Sequence, residues 1–151
     1  PHEIHRENID RLEKLFRVKC VRFSEFSEDK KDARVLIIDN IGMLSSAYRY
    51  SYVAAIGGGF GKGIHNILEA ACWGVPVMFG PRHEKFREAI DLIKENGAAS
   101  FDSYTSFRDI LEKWLSDEPF YVKSANAASQ YIIKNKGATE KILAEILPKR
   151  Y

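Results

Sequence analysis

Several things that would narrow the chemistry of these 151 residues are scarce or missing. There are two cysteines, Cys20 and Cys72, too few and too far apart for a zinc site or a disulfide framework. Both lie in apolar segments, so the expectation is a pair of buried free thiols in a reducing compartment. No group of His, Asp and Glu has metal-ligand spacing. No apolar run approaches the roughly eighteen residues that a membrane span requires. Neither sign of charge dominates: 23 Lys and Arg against 21 Asp and Glu leave a formal +2, and the charges are interspersed. That balance argues against a nucleic-acid partner. No serine sits in a Gly-x-Ser-x-Gly setting, which removes the usual hydrolase nucleophile.

What is present is a chain that is 45% hydrophobic, enough for a real core, at a length that predicts one domain over residues 1–151. Its most informative stretch runs from Ser51 to Pro81. Tyr52–Ile56 reads as a strand. Gly57, Gly58, Gly59, Gly61 and Gly63 follow, and so many glycines let a ligand or another backbone approach the main chain. A helix is predicted from Ile64 to Gly74, with Gly74 as its terminating glycine. Val75–Phe79 is the next buried strand, stopped by Gly80 and Pro81. A glycine loop opening a helix offers N–H groups and partial positive charge to a phosphate or other anion. Asn66 and Glu69 are three apart on that helix, and His65 is four before Glu69, so they share a face. An anion at the tip, with an amide and a carboxylate one turn further in, suits a nucleotide whose ribose hydroxyls donate to Glu69. Tight packing alone also produces such a turn. The stretch is not a P-loop, because no Gly-Lys-Ser/Thr follows, and it lacks the acidic partner of the dinucleotide fingerprint.

Around this stretch the chain alternates helix and strand. A helix is expected over Glu3–Arg17, strands over Val18–Phe23 and Arg34–Ile38, and a surface loop between those strands. Val35, Leu36, Ile37 and Ile38 form a continuous apolar run, as in a parallel strand covered on both faces. Asp39–Met43 then makes a turn at a strand's carboxyl end, where open α/β sheets place ligands. Asp39 or Asn40 is a candidate cap for a helix over Met43–Tyr50, with or without a ligand role. After Pro81, Arg82 and His83 are candidate anion contacts on the same sheet edge as the glycine loop, or a solvated surface pair. Helices over Glu84–Asn96 and Ser106–Leu115, after Pro119, and from Thr139 to Leu147 complete the chain, with a last strand at Ala98–Phe101. Alternation of this kind predicts a Rossmann-like three-layer α/β/α domain with a parallel sheet. The chain begins at Pro1 rather than Met, and a start truncated by one strand and a helix is expected.

The run Gly-Gly-x-Phe-Gly-x-Gly-x-His-Asn-x-Leu-Glu-x-Ala, followed by Gly-Val-Pro-Val-x-Phe-Gly-Pro, resembles the donor-binding half of the 3-deoxy-D-manno-octulosonic acid (Kdo) transferases. These are two-domain glycosyltransferases of the GT-B type. The resemblance implies the C-terminal half of such an enzyme, without the N-terminal domain that binds the acceptor. It implies CMP-Kdo as donor, a lipid A precursor as acceptor, and work at the cytoplasmic face of the bacterial inner membrane. The membrane contact and the proposed carboxylate base belong to the other domain. No catalytic residue, cofactor or metal is therefore expected here, and the isolated chain should turn nothing over. By the same resemblance the donor-binding positions are Pro1, His2, Ile41, Gly42, Met43, Gly58, Gly59, Gly61, Gly63, His65, Asn66, Leu68 and Glu69, with Lys62, Arg82 and His83 as further anion contacts. Two positions depart from the family pattern. Met43 stands where Glu is usual, and Pro1-His2-Glu3 stands where Pro-Arg-His is usual. A different GT-B enzyme using a UDP-sugar (a transferase or a 2-epimerase) and a non-catalytic nucleotide-binding module are the alternatives.

Overall fold

The computed structural model describes residues 5–146, so the expectations for Pro1, His2 and Leu147 lie outside the described residues. Contacts within the chain fall into two compact units, Pro1–Ala47 and Tyr48–Tyr151.

In the first unit, helix α1 (Arg6–Leu15) leads to strand β1 (Cys20–Arg22), two single 3-10 turns, strand β2 (Val35–Ile37) and a short helix α2 (Leu44–Ala47). β1 and β2 pair in parallel, Val21 opposite Leu36. The buried apolar residues described here are Ile9, Val21 and Ile37. Polar contacts supply the rest. Arg22 reaches Glu13 with two nitrogens, at 2.8 and 2.6 Å, and Asp10 at 2.5 Å, tying β1 to α1. The expectation that β2 is covered on both faces fails, since Leu36 is 51% exposed while Ile37 is buried. Strand alternation puts those two side chains on opposite faces.

In the second unit, a 3-10 turn at Tyr48–Tyr50 precedes strand β3 (Ala54–Ala55), helix α3 (Leu68–Ala71), strand β4 (Val77–Phe79), helix α4 (Arg87–Lys94), strand β5 (Ala98–Ser100) and helices α5 (Tyr104–Ser116), α6 (Glu118–Asn135) and α7 (Ala138–Ile146). The sheet order is β3-β4-β5, all parallel, with Val77 opposite both Ala54 and Ala98. All three residues of β4 are buried, so both faces of the central strand are covered, as the parallel pattern requires. The core joins Ile56, Ile67, Ala70, Ala71, Val77, Phe79, Leu92 and Ala128 among others. Helix ends carry ordinary signals. Ser103 and Ser106 form a capping box on α5, and Asp117 caps α6, which has a proline in its first turn. The cysteines are free, but Cys72 is exposed and Cys20 only partly buried, against the expectation of two buried thiols. Cys72 is the C-cap of α3, and its thiol donates to Glu69 O at 3.3 Å.

Candidate functional site

The glycine stretch closes on itself before any helix begins. Gly58 and Ile64 form an antiparallel bridge, Gly59 N–H donates to Gly63 O at 2.6 Å, and His65 N–H donates to Gly57 O at 3.0 Å. The predicted helix start at Ile64 is therefore wrong: α3 begins at Leu68 and has four residues. Residues 57–65 are spent on a small hairpin-like loop, which leaves a helix too short for a substantial dipole. Gly74 does adopt the left-handed region, at φ +70°, but two residues past the C-cap Cys72 rather than directly after it as expected.

Backbone contact with the next strand holds the loop in place. Gly59 has φ +83°, and a Cβ there would sit 2.7 Å from the Gly80 backbone. Gly80 has the reciprocal constraint, since its Cβ would lie 2.6 Å from Gly58 O. Arg82 N–H donates to Gly59 O at 2.9 Å, and Arg82 Nη1 donates to Gly61 O at 3.2 Å. Part of the Arg82 guanidinium is thus turned onto the loop, at the exposed tip formed by Phe60, Gly61 and Lys62. His83 stands edge-on to Phe79, ring centroids 5.4 Å apart, and its buried Nδ1 has no hydrogen-bond partner.

Asn66 and Glu69 do meet, but not on a shared helix face as expected: His65 and Asn66 both precede α3, and Asn66 reaches Glu69 from the turn before it. Asn66 Nδ2 donates to Glu69 Oε1 at 2.9 Å, while Asn66 Oδ1 accepts from Leu68 N–H at 3.1 Å. Leu68 itself packs against the core. His65 borders Gly57, its Cδ2 3.2 Å from where a Cβ on Gly57 would be. Tyr48, half-buried against the same core, lies within the field of Glu69. Burial first, and then the Glu69 charge, push its phenol above the usual tyrosine value. Sequence reasoning missed Tyr48, because nothing in its spacing marks a neighbour of Glu69. It likewise missed Gly80 as the partner of the loop.

In the first unit, the Asp39–Met43 turn presents Ile41 at 86% exposure and Gly42 at φ +91°. The expectation that Asp39 caps α2 is corrected. Its carboxylate accepts from the Ser24 hydroxyl and from Ser24 N–H, and these bonds hold its carboxyl below the usual range. Asn40 Nδ2 donates to Met43 Sδ at 2.8 Å, and Asn40 Oδ1 is buried without a partner. No metal-holding group of three or more His, Cys, Asp or Glu occurs among the described residues. None of the described helices is long and apolar enough to cross a membrane.

No protein-family model matches the chain. Among curated proteins, it is 35% identical over 95 residues to the 3-deoxy-D-manno-octulosonic acid transferase of Aquifex aeolicus, covering 62% of this chain and 26% of that protein. It is 26% identical over 140 residues to the enzyme of the same name from Haemophilus influenzae, covering 91% of this chain and 33% of that one. Its curated homologues are Kdo transferases. The chain spans about a quarter to a third of their length. In fold it matches the C-terminal CMP-Kdo binding domain of WaaA from Acinetobacter baumannii, with TM-score 0.76 and 24% identity over 87% of this chain and 70% of that one. The Rossmann-like α/β class expected for the C-terminal half of a GT-B Kdo transferase is thereby borne out.

Proposed function

We propose that this chain is the CMP-Kdo-binding part of a Kdo transferase, acting as one donor-binding domain of a longer enzyme. The observation that carries this reading is the Asn66–Glu69 pair directly behind a glycine loop clamped on Gly80, in a chain whose homologues bear that name. In the reaction, an acceptor hydroxyl attacks the Kdo anomeric carbon, the bond from that carbon to the CMP phosphate oxygen breaks, and CMP leaves with the developing negative charge.

The residues of this chain hold the leaving group. Glu69, an acceptor when ionised, takes hydrogen bonds from the two ribose hydroxyls. The tip of the loop at Gly61 and Gly63, with Lys62, His65, Arg82 and His83 around it, faces the phosphate and the Kdo carboxylate. Donors fixed in advance stabilise such charge without reorganising during the reaction. On this reading no residue of this chain is a general base and no resident cofactor is called for. The acceptor, a lipid A precursor, and the inner-membrane surface are met by another domain, and the chain alone binds nucleotide weakly and transfers nothing.

The test is a calorimetric or NMR titration with CMP and with UMP, repeated on Glu69→Ala. CMP preferred over UMP, with affinity falling at least about tenfold in the variant, supports the reading, because hydrogen bonds to a charged group are among the stronger ones. A preference for UMP moves the chain to a UDP-sugar enzyme. Binding unchanged in the variant removes Glu69 from the site.

A further inference from the structure

The family resemblance implies that Asn66 is a donor-binding position. Its hydrogen bonds point to a different task. Oδ1 accepts the Leu68 N–H at 3.1 Å, across two residues, and so satisfies a donor that the start of α3 leaves without an intrahelical partner. That bond decides which way the amide faces, because the carbonyl end is the only acceptor the side chain has. Nδ2 must then face Glu69, and it donates to Oε1 at 2.9 Å. Both ends of the amide are thus engaged within the protein. Glu69 by itself has three side-chain torsions and sits on a four-residue helix, so little else in α3 limits its rotamers. With Oε1 tied to Asn66, Oε2 is the oxygen that this bond leaves to accept from a ligand.

We propose that Asn66 is a positioning residue: it holds the Glu69 carboxylate in the one orientation that accepts from the ribose hydroxyls, and it does not itself carry the phosphate. The proposal rests on the donor-binding reading above, and it assigns ribose discrimination to the pair rather than to Glu69 alone.

The experiment titrates the 151-residue chain with CMP, 2′-deoxy-CMP, cytidine and UMP, for wild type, Asn66→Ser, Asn66→Asp and Glu69→Gln. Serine and aspartate both keep an oxygen able to cap Leu68, so α3 is preserved while the donor to Glu69 is lost. Aspartate also places a second negative charge beside Glu69. Thermal unfolding of each variant confirms that it is folded.

Wild type should prefer CMP over 2′-deoxy-CMP by about tenfold. In Asn66→Ser that preference should fall to within about twofold, as it does in Glu69→Gln, while the preference for CMP over cytidine, which reads the phosphate, stays as in wild type. Asn66→Asp should lose the ribose preference at least as completely. The opposite pattern, with ribose preference kept and phosphate preference lost in Asn66→Ser, makes Asn66 a phosphate contact and overturns the proposal. So does Asn66→Ser binding all the ligands like wild type. If wild type binds neither CMP nor UMP, the donor-binding reading fails and this one fails with it. If it binds CMP without distinguishing the deoxy form, the donor reading stands and the pair's ribose role falls.

Discussion

Within each of its two units, this chain is held together by different physics. Tyr48–Tyr151 encloses a continuous apolar core in which Ala70, Ala71, Val77, Phe79, Ala89, Leu92 and Ala128 are fully buried. Pro1–Ala47 buries Ile9, Val21 and Ile37 among its described residues and relies on Arg22 with Asp10 and Glu13, Lys19 with Asp32, and Ser24 with Asp39. The difference shows where rigidity comes from. Close packing holds the glycine loop within van der Waals distance of Gly80, because a packed interior resists small displacements. Exposed ion pairs contribute little each and weaken with salt. The loop, which needs a fixed shape, therefore lies in the apolar unit.

Substitutions in the two units should break along this line. The largest effect is expected for Gly59→Ala, which places a methyl group 2.7 Å from the Gly80 backbone at φ +83°. Overpacking and left-handed strain together should cost about 3 kcal/mol, read from thermal or urea unfolding of the second unit. Next comes Trp114→Phe. Trp114 is 2% exposed and its Nε1 donates to the Ser124 hydroxyl at 3.1 Å, so the variant leaves Ser124 buried with a lost partner and a void beside it. A loss of about 2 kcal/mol is expected by the same measurement. Ser103→Ala removes the capping box of α5 and should cost about 1 kcal/mol. None of the three should alter amide hydrogen exchange in the first unit.

Smallest at neutral pH is a contrast that emerges only at the extremes. Hydrogen bonds from Ser24 hold the Asp39 carboxyl low, and hydrogen bonds from Arg22 do the same for Glu13. A carboxyl depressed in the folded state contributes stability above its ordinary value near about 4, and that stability is lost as pH falls through the folded value. Burial first, and then the charges of Asp91 and Glu88, raise the Tyr131 phenol. Its contribution is complete below the ordinary tyrosine value near about 10 and is lost as pH rises through the folded one. Asp102, held low by hydrogen bonds from Ser106 and Ser103, gives the second unit an acid arm too, so the alkaline arm is what separates the units. Hydrogen exchange or NMR-monitored unfolding from about pH 3 to about pH 11 should show Asp39→Asn reducing the acid arm of the first unit, to which Glu13, Asp29 and Asp32 also contribute, and Tyr131→Phe reducing the alkaline arm of the second, to which Tyr48 and Tyr121 also contribute. Equal alkaline sensitivity in both units would remove the contrast.

Much of the candidate site was legible in local spacing. Asn66 and Glu69, three apart, do meet, and Gly74 does end the segment in the left-handed region. The start of the helix was not legible. Ile64 reads as the start of a helix behind a glycine loop until Gly58 is seen bridging Ile64 and Gly63 O taking the Gly59 N–H, a closure the sequence does not announce. Asp39 is a good helix cap by residue type, yet its carboxylate goes to Ser24, fifteen residues earlier. In both cases a bond to a residue that is not the expected neighbour overrides a correct local preference.

The alternation of apolar strands, glycine turns and helices was enough by itself to determine a parallel α/β class, because strand burial on two faces and helix periodicity leave separate marks in the order of residues. The same order put Asn66 and Glu69 within reach of each other, although not through the helix face it suggested. What only the tertiary structure decided is the fit of Gly59 against Gly80, the Arg82 guanidinium turned onto Gly61, and the division into an apolar and a polar unit. These depend on distances between segments brought together by folding, and two backbones packed so closely that a Cβ has no room between them leave no periodicity along the chain by which to read it.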